Sequence, residues 1–161
     1  MNTVVYMPIT EAIPFIKERV NMSYITSSLN KSVSWFHSKC TDVAVDYRFG
    51  FNQKDCEQLN AVLKSIANTC MEHILEPPSV STSNIVYSMY VASTIKELRK
   101  CISMKYLREN YTTIGRASWC NKLALRKTGK CINYFSAKNV EEINNGIIST
   151  ANFLLSIKIV L

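Results

Sequence analysis

Ten basic side chains crowd into about one fifth of this 161-residue chain. They are Lys96, Arg99, Lys100, Lys105, Arg108, Arg116, Lys122, Arg126, Lys127 and Lys130. Only Glu97 and Glu109 stand among them, so residues 96–130 carry a balance of +8. Residues 1–95 hold seven basic and eight acidic residues and residues 131–161 two of each, so this window accounts for the whole formal net charge of +7. Arginine offers phosphate oxygens a planar fork and lysine a point charge. A polyphosphate is therefore the partner such a surface selects. With six of the ten on phosphates, log affinity would fall against log salt with a slope of about −4 to −5. Tyr106, Tyr111 and Trp119 share the window and could stack on unpaired bases or a duplex end; core packing is the competing role for each. No RNP1 aromatic motif, KH loop or helix-turn-helix pattern accompanies them. Recognition by phosphate and shape is expected, rather than sequence reading. The alternative for the whole cluster is a solvated helix face.

Catalytic chemistry has no comparable concentration. His37 and His73 are far apart, and His73, beside Glu72 and Glu76, reads as a cap or ion pair at a helix C-terminus. Asp42 with Asp46 and Glu141 with Glu142 are carboxylate pairs without a metal-site pattern, and no nucleophile-elbow or zinc-protease motif occurs. Cys40, Cys56, Cys70, Cys101, Cys120 and Cys131 include no Cys-x-x-Cys and read as buried or idle thiols. The expectation is a protein that is not an enzyme and carries no cofactor and no metal. Four glycines leave nothing for a phosphate loop or a dinucleotide fingerprint, and argue against turn-rich β barrels.

The elements that must position the basic side chains are helical by pattern. Ile13, Ile16 and Val20 share a stripe, with Pro14 tolerable only near a helix start. Ser32 to Tyr47 is read as helix, and Tyr47 to Phe51 as a turn. Asn52, with Asp55 three residues on, is a cap signal for a helix carrying Leu59, Val62, Leu63, Ile66, Cys70 and Ile74, which Pro77–Pro78 should stop. Ser79 to Ser83 is a polar connector. The next helix carries Tyr87, Val91, Ile95, Leu98 and Ile102; at 100° per residue, Lys96, Arg99 and Lys100 fall on its opposite side. A helical region is expected from Met104 to Phe135, broken near Asn110–Gly115 and near Gly129. If continuous, it places Arg116, Arg126, Lys127 and Lys130 within about 100° of one another. Glu141–Glu142 should open the last helix, where acids suit the positive end of the dipole.

The fold class this predicts is all-α: a multi-helix bundle of about six to eight helices in a single compact domain. A division into helical subdomains at 1–76 and 79–161 is the variant. Hydrophobic residues make up 47% of the chain, a globular composition. No run of 18 apolar residues exists; the nearest, Ile147 to Leu161, is broken by Asn152 and Lys158. The N-terminal stretch lacks the basic start and apolar run of a signal peptide. An intracellular soluble protein without integral membrane association is expected.

Several short motifs also keep a shared order. Leu63-Lys64-Ser65-Ile66 lies on a helix ended by Pro77. Leu107-Arg108-Glu109, Asn133-Tyr134-Phe135-Ser136 and Ile143-Asn144 follow, the last in an apolar helix. In order and separation, with about one gap over residues 60–150, this resembles the small RNA-silencing suppressors of closteroviruses. Residues 1–55 carry no matching motif. The resemblance implies an all-α viral protein of the host cytoplasm that binds small double-stranded RNA without sequence preference. It further implies a homo-oligomer, up to a ring with a basic inner surface. Only Arg108 lies inside a matching motif; the other nine basic residues rest on charge segregation. Two other readings compete. One is a viral Bcl-2-like protein binding an amphipathic host helix, with residues 84–102 as its central helix, although no Asn-Trp-Gly-Arg segment is present. The other is a small nucleocapsid protein assembling along single strands.

Overall fold

The computed structural model describes residues 3–41 and 50–161. In chain order the elements are β1 (Val5–Pro8), α1 (Ile9–Arg19), α2 (Met22–Ser28), α3 (Val33–Thr41), α4 (Gln53–Glu72), α5 (Asn84–Leu98), α6 (Met104–Tyr111), α7 (Arg116–Leu123), β2 (Lys127–Thr128), β3 (Cys131–Ile132), α8 (Ala137–Ser156) and β4 (Ile157–Val160). The protein is mostly α, with eight helices among the described residues and strands of no more than four residues. No helix is long and apolar enough to cross a membrane among the described residues.

α4 forms as its pattern predicts. The Asn52 side chain accepts a hydrogen bond from the Asp55 N–H at 2.9 Å, and the Asp55 carboxylate accepts from the Asn52 N–H at 3.0 Å. Two helix-end donors are satisfied reciprocally. Leu59, Leu63, Ile66 and Cys70 are buried. The helix ends at Glu72 with His73 as its cap, before Pro77–Pro78 is reached, so Ile74 lies beyond it. His73 Nδ1 sits 2.7 Å from the Thr69 carbonyl oxygen, in the last turn. α5 buries Tyr87, Val91, Ile95 and Leu98; Ile102 is buried too, but past the helix, where it bridges Val20.

Three expectations are corrected, and a fourth is met as far as the described residues reach. Pro14 is the sixth residue of α1, not near its start; the carbonyl deprived of a partner belongs to exposed Thr10 and is open to water. The helix read over 32–47 is α3 as far as Thr41; Asp42 to Phe49, with most of the turn expected at 47–51, lie outside the described residues. α8 begins at Ala137, not at Glu141–Glu142. Ser136 caps it in a box with Asn139, whose two bonds are both 3.1 Å, and the acids fall in the second turn. The helical reading from Arg116 towards Gly129 fails at Leu123, where the chain turns into the β2–β3 hairpin.

One apolar cluster runs from Ile9 to Ile159. α4 and α8 pack together at its centre, α8 contributing Ile143, Ile147, Ala151 and Leu154. α6 crosses α8 at Gly146, where a Cβ would come 2.9 Å from Leu107 Cγ and 3.1 Å from Tyr111 Cβ, so only glycine fits this approach. Two asparagines stitch the pair. Asn60 of α4 donates to the Ile159 carbonyl at 2.9 Å and accepts from the Ile159 N–H at 2.8 Å. Asn144 of α8 does the same for Leu75, just past α4, at 2.8 Å in both directions. Each helix thus holds the segment that follows the other. β4 pairs in parallel with β1, Val5 beside Ile157 through Pro8 beside Val160.

Candidate nucleic-acid interface

The first half of the basic window leaves α5 on its outer side. Lys96, Arg99 and Lys100 are exposed, opposite the buried Val91, Ile95 and Leu98. Lys100 is paired with Glu97 at 2.6 Å. That hydrogen bond holds the Glu97 carboxyl below its usual value, so the acid stays ionised and cancels part of the local charge. The segment around Arg99 is pinned to the α1–α2 junction: the Asn21 side chain donates to the Arg99 carbonyl, and the Asn21 N–H to the Cys101 carbonyl at 2.9 Å.

The second half is set by how α7 ends. Leu125 adopts φ +50°, the Leu125 N–H bonds the Lys122 carbonyl at 3.2 Å, and the Arg126 N–H reaches the Asn121 carbonyl at 2.9 Å. This is a Schellman stop with leucine where glycine is usual. The chain reverses again at Gly129, φ +63°, between the pairs Lys127–Ile132 and Thr128–Cys131. Positive φ at the first central position is what a II′ hairpin turn requires. Asn133 ties the base: its side chain donates to the Arg126 carbonyl at 2.6 Å and to Thr128 Oγ1 at 2.9 Å. Arg126, Lys127 and Lys130 all project into solvent from this hairpin.

Two distant parts of the window meet here. Lys96 lines a cleft of about 380 Å³ with Met89, Ala92 and Ser93 of α5 and with Leu123, Ala124 and Leu125. Leu125 immediately precedes Arg126, so Lys96 lies beside the segment that leads into the hairpin. Arg116 is exposed at the start of α7. Lys96, Arg99, Arg116, Arg126, Lys127 and Lys130 have no ion pair among the described residues. The shared helical face predicted for Arg116, Arg126, Lys127 and Lys130 does not exist; a helix end and a hairpin carry them instead.

The remaining basic residues lie elsewhere. Lys122 turns inward and donates to the Tyr134 carbonyl. Arg108 is half-buried and paired with Glu109 at 2.8 Å. Lys105 lines a depression between α1 and α6 with Lys17, Glu18, Tyr106 and Glu109, a site of mixed charge. Of the two roles open to the aromatics, packing prevails over stacking. Trp119 is buried edge-on against Phe135, with ring centroids 6.2 Å apart. Tyr111 hydrogen-bonds Ser149 at 2.7 Å, and Tyr106 is covered by the Arg19 guanidinium at 4.5 Å.

A second surface went unread in the sequence. Ile85, Val86, Met89 and Tyr90 of α5 are 41–57% exposed on its outer side. Beside them, Pro77, Pro78, Val86 and Tyr90 line a cleft of about 480 Å³. Their helical spacing was a usable signal, masked because the buried residues of α5 are apolar too. No family model, curated protein or solved structure matches the chain.

Proposed function

We propose that this chain binds small duplex RNA without reading its sequence and sequesters it, acting as a viral suppressor of RNA silencing in the host cytoplasm. One observation carries the reading: Lys96 lies beside the segment that leads into a hairpin projecting Arg126, Lys127 and Lys130, and no acid pairs with any of the four among the described residues. Residues 126–132 hold no aromatic side chain to stack on a base, and their exposed cations suit phosphates. Sequestration needs no catalytic group and no cofactor. Arg99 and Arg116 extend the surface, for about six phosphate contacts in all. Lys105 and Arg108 stand outside it.

The test is a labelled RNA duplex of about 21 base pairs, an unrelated duplex and a single strand, each titrated across a salt series. Equal affinity for the two duplexes and a log–log slope of about −4 to −5 are expected. The Lys96→Gln, Arg126→Gln, Lys127→Gln, Lys130→Gln variant should lose most of that slope. Lys105→Gln with Arg108→Gln should leave it unchanged. Absence of binding at low salt overturns the reading, and an unchanged slope in the fourfold variant overturns the site. The exposed α5 stripe favours a second reading, an amphipathic partner helix lying along Ile85, Val86, Met89 and Tyr90. A protein indifferent to RNA that binds such a peptide, and loses it on Met89→Lys, supports this second function.

A further inference from the structure

The β1–β4 ribbon has two outer edges, and the fold treats them differently. The edge of β4 is closed. Asn60 presents the Ile159 backbone with one donor and one acceptor, as a neighbouring strand would, at 2.9 and 2.8 Å. Among the described residues nothing equivalent meets β1: no hydrogen bond reaches residues 3–8 except those of the ribbon. Burial repeats the asymmetry. Paired residues of a parallel ribbon point to the same face. Ile157 is 8% exposed, yet Val5, beside it in register, is 50% exposed. Val4 is 46% and Tyr6 65% exposed. The devices that usually protect an edge, a lysine or a bulge, are missing from Thr3 to Met7, and Pro8 comes only at the end of the strand.

We infer that β1 pairs antiparallel with β1 of a second copy about a two-fold axis, making a four-stranded sheet of order β4–β1–β1–β4. A second copy is the occupant favoured by charge. The chain carries +7, so two copies meet best where cations are few. Residues 3–10 contain no charged side chain, and Lys158, in register with Tyr6, is held over its ring at 5.5 Å. Antiparallel self-pairing sets β-branched and aromatic side chains opposite one another, the favourable cross-strand combination. It covers Val5 and gives the outer edge its missing partners. Assembly stops at two because Asn60 blocks the far edges.

This inference does not rest on RNA binding, and its test contains no RNA. Sedimentation equilibrium from about 1 to 200 μM should show the mass doubling and then levelling off. Val4→Lys with Tyr6→Lys should stay at the monomer mass over that range with unchanged helical circular dichroism. If that variant loses helicity, hydrogen exchange on the parent protein decides. The outward-facing amides of Val4 and Tyr6 should be protected at 200 μM and exchange at least tenfold faster at 1 μM, while the ribbon-bonded amides of Val5 and Met7 and those of α4 stay the same. A parent protein monomeric at 200 μM overturns the inference. So does a dimer that keeps its full mass in the double-lysine variant, or β1 amides indifferent to concentration; binding of an unrelated strand would then be the remaining use of the edge.

Discussion

The α4–α8 pair and the α7–hairpin segment hold their chains by opposite means. In the first, buried apolar faces are joined by asparagines that satisfy backbone groups 69 and 99 residues away. In the second, α7 buries Trp119 alone, β2 and β3 have two residues each, and most polar contacts are local. The first is built so that each group depends on a distant one. The second is a short, exposed extension that carries charge. A side chain's role follows from which regime it occupies, so stability and phosphate affinity should respond to different substitutions.

The strongest way to break this contrast is Asn144→Ala. It strands the N–H and C=O of buried Leu75, between half-buried Ile74 and exposed Glu76, and urea unfolding should show a loss of about 1–3 kcal/mol. A loss as small as that of a surface substitution would dissolve the distinction. Leu125→Gly probes the other side. Removing a Cβ from a left-handed position should raise stability by about 1 kcal/mol, offset in part by the lost cleft contact, and read as a rise in Tm. The smallest effect sharpens the comparison most. Arg126→Gln, Lys127→Gln and Lys130→Gln together should move the urea midpoint by no more than about 0.5 kcal/mol equivalent. The same variant should flatten the salt dependence of RNA binding.

The legible part of the fold was its long, periodic helices. Leu59, Leu63, Ile66 and Cys70, and Val91, Ile95 and Leu98, announce their faces by spacing, and Asn52 with Asp55 announces a start. The start of α8 was missed because its capping box uses Asn139 where Glu or Gln is the familiar signal. The end of α7 was missed because Leu123, Ala124, Leu125, Arg126 and Lys127 all favour helix, and nothing in leucine's identity signals φ +50°. β1 and β4 are too short to establish alternation, and their pairing is between residues remote in sequence. At the site, exposure of Lys96, Arg126, Lys127 and Lys130 followed from charge alone. The diversion of Lys122 to the Tyr134 carbonyl depends on a turn that charge cannot foretell.

The parallel ribbon also has a consequence for the order of events in folding. Residue 5 cannot find residue 157 until nearly all of this sequence has been synthesised. Closing so long a loop costs entropy that only the packed α4–α8 pair can offset. Helix pairing therefore comes first and ribbon closure last. Until then Thr3 to Pro8 is a nascent, uncharged, strand-forming segment with both edges open, and the ribosome-bound chain is most prone to mispairing with its neighbours on the same message during that interval.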